Sequence, residues 1–183
     1  MSAPSVLVVC TGNICRSPIG EAALRARLAH AVVTSAGTDA RDGGPATDGS
    51  VVAGAERGFD LAGHRSRRLT VGLVQDAALV VAMTRGHRDA IVRAVPTAAD
   101  RTFTLKELVL LLEAGDEPSG DLAARVSEAA RRRAASPPDG DLDVDDPYGD
   151  VLDAYRRIAA EIDDWSERLA RRLGERLGRT GTA

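Results

Sequence analysis

The stretch that decides the fold is Ser5-Val6-Leu7-Val8-Val9, followed by Cys10-Thr11-Gly12-Asn13-Ile14-Cys15-Arg16 and then by Ser17-Pro18. Its first residues form a continuous β-branched and aliphatic run of strand length, the pattern of a strand buried on both faces in a parallel sheet. This strand is expected to be central. Ser17 and Pro18 then open a helix: serine can cap, proline is tolerated in the first turn, and Glu21 lies near the positive end. Ala22, Ala23, Leu24 and Leu28 supply its apolar face. The residues between are a tight connection from strand to helix.

The alternation continues outward. Short apolar runs at 31–34, 77–83 and 101–104 read as strands, with residues 47–57 and 86–94 as helices between them. Strands alternating with helices predict an α/β domain whose parallel sheet is covered on both faces. Residues 105–114 and 122–135 read as further helices. Residues 151–177 read as a long amphipathic helix with Leu152, Tyr155, Ile158, Ile162, Trp165, Leu169 and Leu173 as its core stripe. Two segments read as loops able to edge a site: 37–49, rich in Gly, Asp and Thr, and 136–146, with Pro137-Pro138 and five acidic residues. The tail at 178–183 is expected to fray.

With 183 residues the chain is the size of one domain, and a core can form without metals or disulfides. The apolar run at 77–83 is far too short to span a bilayer, and the N-terminus has neither a basic segment nor a long apolar one. A cytoplasmic protein with no membrane partner is expected. The net charge is −3, Lys106 is the sole lysine, and the arginine-rich stretches carry acids beside them. That pattern suits a solvated face and argues against nucleic acid as a partner. Cys10 and Cys15 are the only cysteines, too few for a disulfide scaffold. His30, His64 and His87 lie far apart with no second ligand at metal spacing, so neither a metal nor another cofactor is expected. A monomer is the default.

The chemistry concentrates between Cys10 and Ser17. Cysteine followed six residues later by arginine means little alone in an arginine-rich chain. Its place at the end of a central strand and the start of a helix matters more, because backbone N–H groups there form a concavity for an anion. Gly12 permits close approach or a positive φ, and Asn13 tolerates the left-handed region. A thiol at such a loop is favoured as thiolate, the nucleophilic form, and Arg16 has the planar fork that grips two phosphate oxygens. Ser17 can donate its hydroxyl to the Cys10 sulfur. An oxygen leaving group also needs a proton, and Asp146, held by Pro147 in the second loop, is a candidate donor.

Taken in order, Val8-Val9-Cys10-Thr11-Gly12-Asn13-Ile14-Cys15-Arg16-Ser17-Pro18, Ser35-Ala36-Gly37-Thr38 and Asp146-Pro147-Tyr148 closely resemble the low-molecular-weight protein tyrosine phosphatases. The likeness spans about residues 5–113 and 141–177. It implies a single domain over 1–183 of the phosphotyrosine protein phosphatase I-like fold: a four-stranded parallel sheet with helices on both faces. It also implies a phosphocysteine intermediate, a phosphotyrosine protein or other phosphomonoester as substrate, and inorganic phosphate as product. By matching motif, Cys10 is the nucleophile, Arg16 the phosphate clamp and Asp146 the general acid. Thr11, Gly12, Asn13, Ile14, Cys15 and Ser17 belong to the phosphate loop, and Asn13, Ser17, Ser35 and His64 to a network that shapes it. Cys15 takes the place of the family's second thiol, able to form a reversible disulfide with Cys10. Two departures stand out. Arg41 occupies the position where many members carry an aromatic wall residue, which leaves Tyr148 as the ring expected beside a phenyl group. Residues 114–140 form an acidic, arginine-rich insertion leading into the Asp146 loop.

Three alternatives bear on the same motifs. Thiol-linked arsenate reductases share the fold and loop but relay oxidation to downstream cysteines, and none follows Cys15. Protein-arginine phosphatases resemble this chain in Phe103-Thr104-Leu105-Lys106-Glu107, yet carry Thr where Ile14 stands. A non-catalytic phosphate-binding module would need neither a nucleophile nor an acid.

Overall fold

The computed structural model describes residues 3–115 and 120–174. Strands β1 (Ser5–Cys10), β2 (Val32–Gly37), β3 (Leu79–Ala82) and β4 (Thr102–Thr104) form one sheet in the order β2-β1-β3-β4. All three pairings are parallel, with Val8 opposite both Ser35 and Val81. β1 is therefore interior, as its unbroken apolar run requires. Its side chains alternate between two cores: Val6 and Val8 face one, Leu7 and Val9 the other.

Helices α1 (Arg16–Arg27), α2 (Asp48–Glu56), α5 (Leu105–Glu113), α6 (Leu122–Ala135) and α7 (Leu152–Leu173) build the larger core, and α3 (Val71–Asp76) and α4 (Arg85–Ala94) cover the smaller one. In α7, Tyr155, Ile158, Ile162, Leu169 and Leu173 are buried, while Leu152 and Trp165 pack at the margin. The helix stops at Gly174, whose φ of 90° suits a left-handed C-terminal cap. The expected continuation to 177 and the tail at 178–183 lie outside the described residues. Two short elements escape the sequence reading: α3, and a 3₁₀ segment over Pro96–Arg101. Each is too short to show helical periodicity.

One expectation needs correcting. Helix α1 starts at Arg16 with Cys15 at the N-cap, and no side chain caps it. Ser17 does not cap because its hydroxyl lies 3.0 Å from Cys10 Sγ.

Part of the insertion is a docked helix. Arg133 of α6 lies over the Phe103 ring at 4.3 Å and donates to the carbonyls of Thr102 and Ala99 at 2.8 and 2.6 Å. It also stands 3.9 Å from Glu107, a buried acid that Arg88 pairs at 3.0 Å. Among the described residues, no helix is long and apolar enough to cross a membrane.

Candidate active site

β1 ends in Cys10, and its parallel partner β2 ends opposite in Gly37. The loop after Cys10 is tied to the chain after β2: Thr38 N–H donates to the Cys10 carbonyl at 3.0 Å and Asp39 N–H to that of Thr11 at 2.9 Å. This approach explains Gly37, where a Cβ would lie 2.4 Å from the Thr11 oxygen and 2.8 Å from the Asn13 nitrogen. Asn13, with φ of 54°, is the single non-glycine residue in the left-handed region among those described, and Gly12 does not need it. That conformation aims the Asn13 N–H at Cys10 Sγ, 3.3 Å away.

The Asn13 side chain organises what lies behind the sulfur. Its Nδ2 donates to Ser17 Oγ at 2.9 Å and Ser35 Oγ at 2.8 Å, and its Oδ1 accepts from Arg67 N–H at 2.9 Å. Ser17 Oγ already accepts from Asn13, so its own proton is free to point at Cys10 Sγ. Ser35 in turn donates to Glu21 Oε2 at 2.5 Å. His64 Nε2, 2.7 Å from the Asn13 carbonyl, must be the protonated nitrogen, since a carbonyl only accepts.

On the other side, Arg16 reaches the acid loop. Nη1 donates to the Val144 carbonyl at 3.0 Å, and Nη2 donates to Asp146 Oδ2 at 2.6 Å. The guanidinium is buried and the carboxylate half-exposed. The loop is fixed to the end of β3, where Val144 N–H donates to the Met83 carbonyl at 2.8 Å and Asp143 accepts from Arg85 N–H at 2.7 Å. Asp146 Oδ1 accepts from Tyr148 N–H at 3.2 Å, closing a turn over Pro147.

With this geometry in view, three comparisons bear on the chain. The family described as low molecular weight phosphotyrosine protein phosphatase matches residues 5–116. The chain is 36% identical over 169 residues to a protein-arginine-phosphatase of Geobacillus stearothermophilus, covering 92% of this chain and 95% of the relative. It is 30% identical to the low molecular weight protein-tyrosine-phosphatase Etp of Escherichia coli K12, covering 91% and 95%. The chain belongs to the low molecular weight phosphotyrosine protein phosphatase family. The solved structure of the tyrosine phosphatase Wzb from Escherichia coli K30 with sulphate superposes with a TM-score of 0.73 at 28% identity, covering 93% of this chain and 98% of that one.

The phosphatase thus gathers two hydrogen-bonded groups around one loop, Cys10, Asn13, Ser17, Ser35 and His64 on one side and Thr11, Arg16 and Asp146 on the other, with Gly12 and Ile14 in the same loop. Tyr148 projects into solvent, 68% exposed. Arg41 is exposed, and its carbonyl accepts from Ser66 Oγ, away from the loop. Cys15 is buried with its sulfur 3.5 Å from Thr47 Oγ1, and burial raises its pKa despite that hydroxyl. It stays a thiol at neutral pH.

Sequence reasoning missed His87. Its Nε2 lies 2.9 Å from Thr11 Oγ1, and its Nδ1 lies 2.8 Å from Thr84 Oγ1, the N-cap of α4. Burial, then the charge of Arg16, pulls its pKa down to about 4, against the opposing pull of Asp146 and Asp143. The ring is neutral at physiological pH. The Thr84-to-His87 spacing is a capping signal, but nothing in it tells that the third residue of α4 turns toward the loop.

Proposed function

We propose that the phosphatase hydrolyses phosphotyrosine in proteins through a phosphocysteine on Cys10, working in the cytoplasm as a single domain. The observation that carries this reading is the pair of hydrogen bonds to Cys10 Sγ, from Asn13 N–H and Ser17 Oγ, with the Arg16 fork turned to Asp146. Donors around a sulfur hold negative charge there. Arg16 Nε is buried without a partner among the described residues, a donor that a phosphoryl oxygen would satisfy.

In the first step the Cys10 thiolate attacks phosphorus, the bond from phosphorus to the phenolic oxygen breaks, and Asp146 gives that oxygen its proton. The phosphoryl oxygens compete with Asp146 for Arg16 Nη2 and so release the carboxyl toward the leaving group. In the second step water attacks the phosphocysteine, Asp146 takes a proton from it, and the P–S bond breaks. The electron pair of the broken bond stays on sulfur, where the Ser17 hydroxyl donates a hydrogen bond to the thiolate, and inorganic phosphate leaves. Arg16 and the loop amides serve both steps by holding the charge on the equatorial oxygens.

The apolar Ile14 and the exposed Tyr148 ring suit an aryl group. Free thiols in the loop suit a reducing compartment. A second reading, phosphoarginine in proteins, is favoured by the relative named protein-arginine-phosphatase, which matches over nearly the whole chain. Measuring kcat/KM on a phosphotyrosine peptide and on a phosphoarginine protein separates them. The account expects phosphotyrosine to lead by at least about tenfold, the scale of one well-placed contact. A lead for phosphoarginine replaces it with the second reading.

A further inference from the structure

Helix α4 begins beside both loops that Arg16 joins. Arg85 N–H, in its first turn, holds Asp143 of the acid loop at 2.7 Å. Two residues on, the buried ring of His87 meets the phosphate loop, its Nε2 standing 2.9 Å from Thr11 Oγ1. Capping the helix does not require that contact, since the backbone N–H of His87 alone gives Thr84 Oγ1 its bond at 3.2 Å. The turn of the ring toward Thr11 therefore has another cause.

Thr11 Oγ1 stands between two nitrogens. Arg16 Nη2, 3.4 Å away, can only donate, and its other partner is Asp146 Oδ2 at 2.6 Å. A neutral imidazole has one N–H and one acceptor nitrogen. Burial and then the Arg16 charge keep this ring neutral, against the pull of Asp146 and Asp143. The same cation favours the tautomer that turns a lone pair toward it rather than an N–H. Nε2 then accepts the Thr11 proton, while Nδ1–H donates to Thr84 Oγ1 at 2.8 Å. With its proton engaged in this way, the Thr11 oxygen presents lone pairs to the guanidinium.

We propose that His87 is a positioning residue: through Thr11 it holds Arg16 Nη2 in place once a phosphoryl oxygen has drawn that nitrogen off Asp146. The remaining anchor of the fork is the Val144 carbonyl, which accepts from Nη1 at 3.0 Å. Without Thr11 the guanidinium would swing on that single bond, and its grip on the equatorial oxygens would lose alignment. The effect on turnover rests on the phosphatase reading; the tautomer and the Arg16 contact do not.

NMR of the nitrogen-15-labelled full chain at neutral pH reads the tautomer from the His87 ring and follows the Arg16 side-chain N–H signals. In parallel, kcat/KM on phenyl phosphate is measured for His87→Leu, His87→Gln, Thr11→Val and the double variant Thr11→Val/His87→Leu. The expected result in the wild type is an unprotonated Nε2 and a protonated Nδ1. His87→Leu cannot take the Thr11 proton, so it should move the Arg16 signals and lower kcat/KM about tenfold, the scale of one hydrogen bond. His87→Gln, whose amide oxygen can accept, should recover to within about threefold of wild type. Thr11→Val should cost about as much as His87→Leu, and the double variant no more than either, because both remove one link. The tautomer is read on the wild type and Thr11 is exposed, so misfolding of His87→Leu leaves two readouts that decide. A proton on Nε2, a loss in His87→Gln equal to that in His87→Leu, or additive losses in the double variant overturns the proposal. A chain with the expected tautomer and Arg16 shifts that turns over no aryl phosphate would refute the proposed function and leave the contact standing.

Discussion

Replacing His87 with glutamine keeps a side chain able to bond Thr11 and Thr84 but removes the titration. In the folded protein the ring is only 8% exposed and titrates at about 4, because burial and then Arg16 disfavour its charged form. In the unfolded chain it titrates near its ordinary value of 6.5. Between those values the unfolded chain binds more protons, so stability falls as the pH drops. The contribution of His87 is present in full above 6.5 and is lost as the pH falls toward 4. A difference of that size corresponds to at most about 3 kcal/mol, and solvent screening near the loop brings the expectation to about 1.5 kcal/mol. Urea unfolding of wild type and His87→Gln, from neutral pH down to about 4, reads the effect as the change in the gap between the two stability curves. The gap should shift toward the variant on acidification. Curves that stay parallel, or an NMR titration of the His87 ring at or above its ordinary value, refute the reasoning.

The acid assignment predicts that Asp146→Asn lowers kcat/KM for phenyl phosphate, which reports the leaving-group step, about 10²- to 10⁴-fold, with a much smaller loss of kcat/KM for nitrophenyl phosphate. The exposed neighbour Asp145, changed to Asn, should stay within about a few fold of wild type on both; a leaving-group-dependent loss at Asp145 would transfer the role. Mild peroxide should inactivate reversibly by joining Cys10 to Cys15, visible by mass spectrometry. Because burial holds Cys15 as a thiol, closure should quicken as pH rises, and Cys15→Ser should make the loss harder to reverse. Two separately oxidised thiols would contradict this. Arg133→Met should cost about 2 kcal/mol in urea unfolding, since it strips the cation from Phe103 and two carbonyls of their donor. A loss within the scatter of surface substitutions would mean that α6 is not held this way.

How much was legible follows from which signals are local. The β1 run, the glycine-containing loop and the start of α1 declare the strand, loop and helix because each depends on near neighbours. The α7 stripe is equally plain, since one face repeats over many turns. The serine at 17 misled as a cap because its partner is a sulfur brought back by the loop, and a local capping rule does not see that contact. His87 and Arg67 stayed hidden for a related reason. Their partners are Thr11, in the loop after β1, and Ser35, at the end of β2, so each role exists only once parallel pairing sets those loops side by side. Gly37 was visible as part of a motif, but its cause is the distance to Thr11 and Asn13. The insertion was recognisable as extra length and as a helix, whereas its anchorage through Arg133 on Phe103 and Glu107 joins residues far apart in sequence.

The central claim is that a phosphoryl group passes through the sulfur of Cys10. Acid-quenching the enzyme during turnover of nitrophenyl phosphate, followed by peptide mass spectrometry, tests it directly. In Asp146→Asn, where loss of the base slows hydrolysis of the intermediate, the account predicts phosphate on the peptide bearing Cys10, bonded to that sulfur, whereas Cys10→Ser should lack turnover. Turnover retained in Cys10→Ser, or a phosphorylated residue elsewhere in an active enzyme, would contradict it.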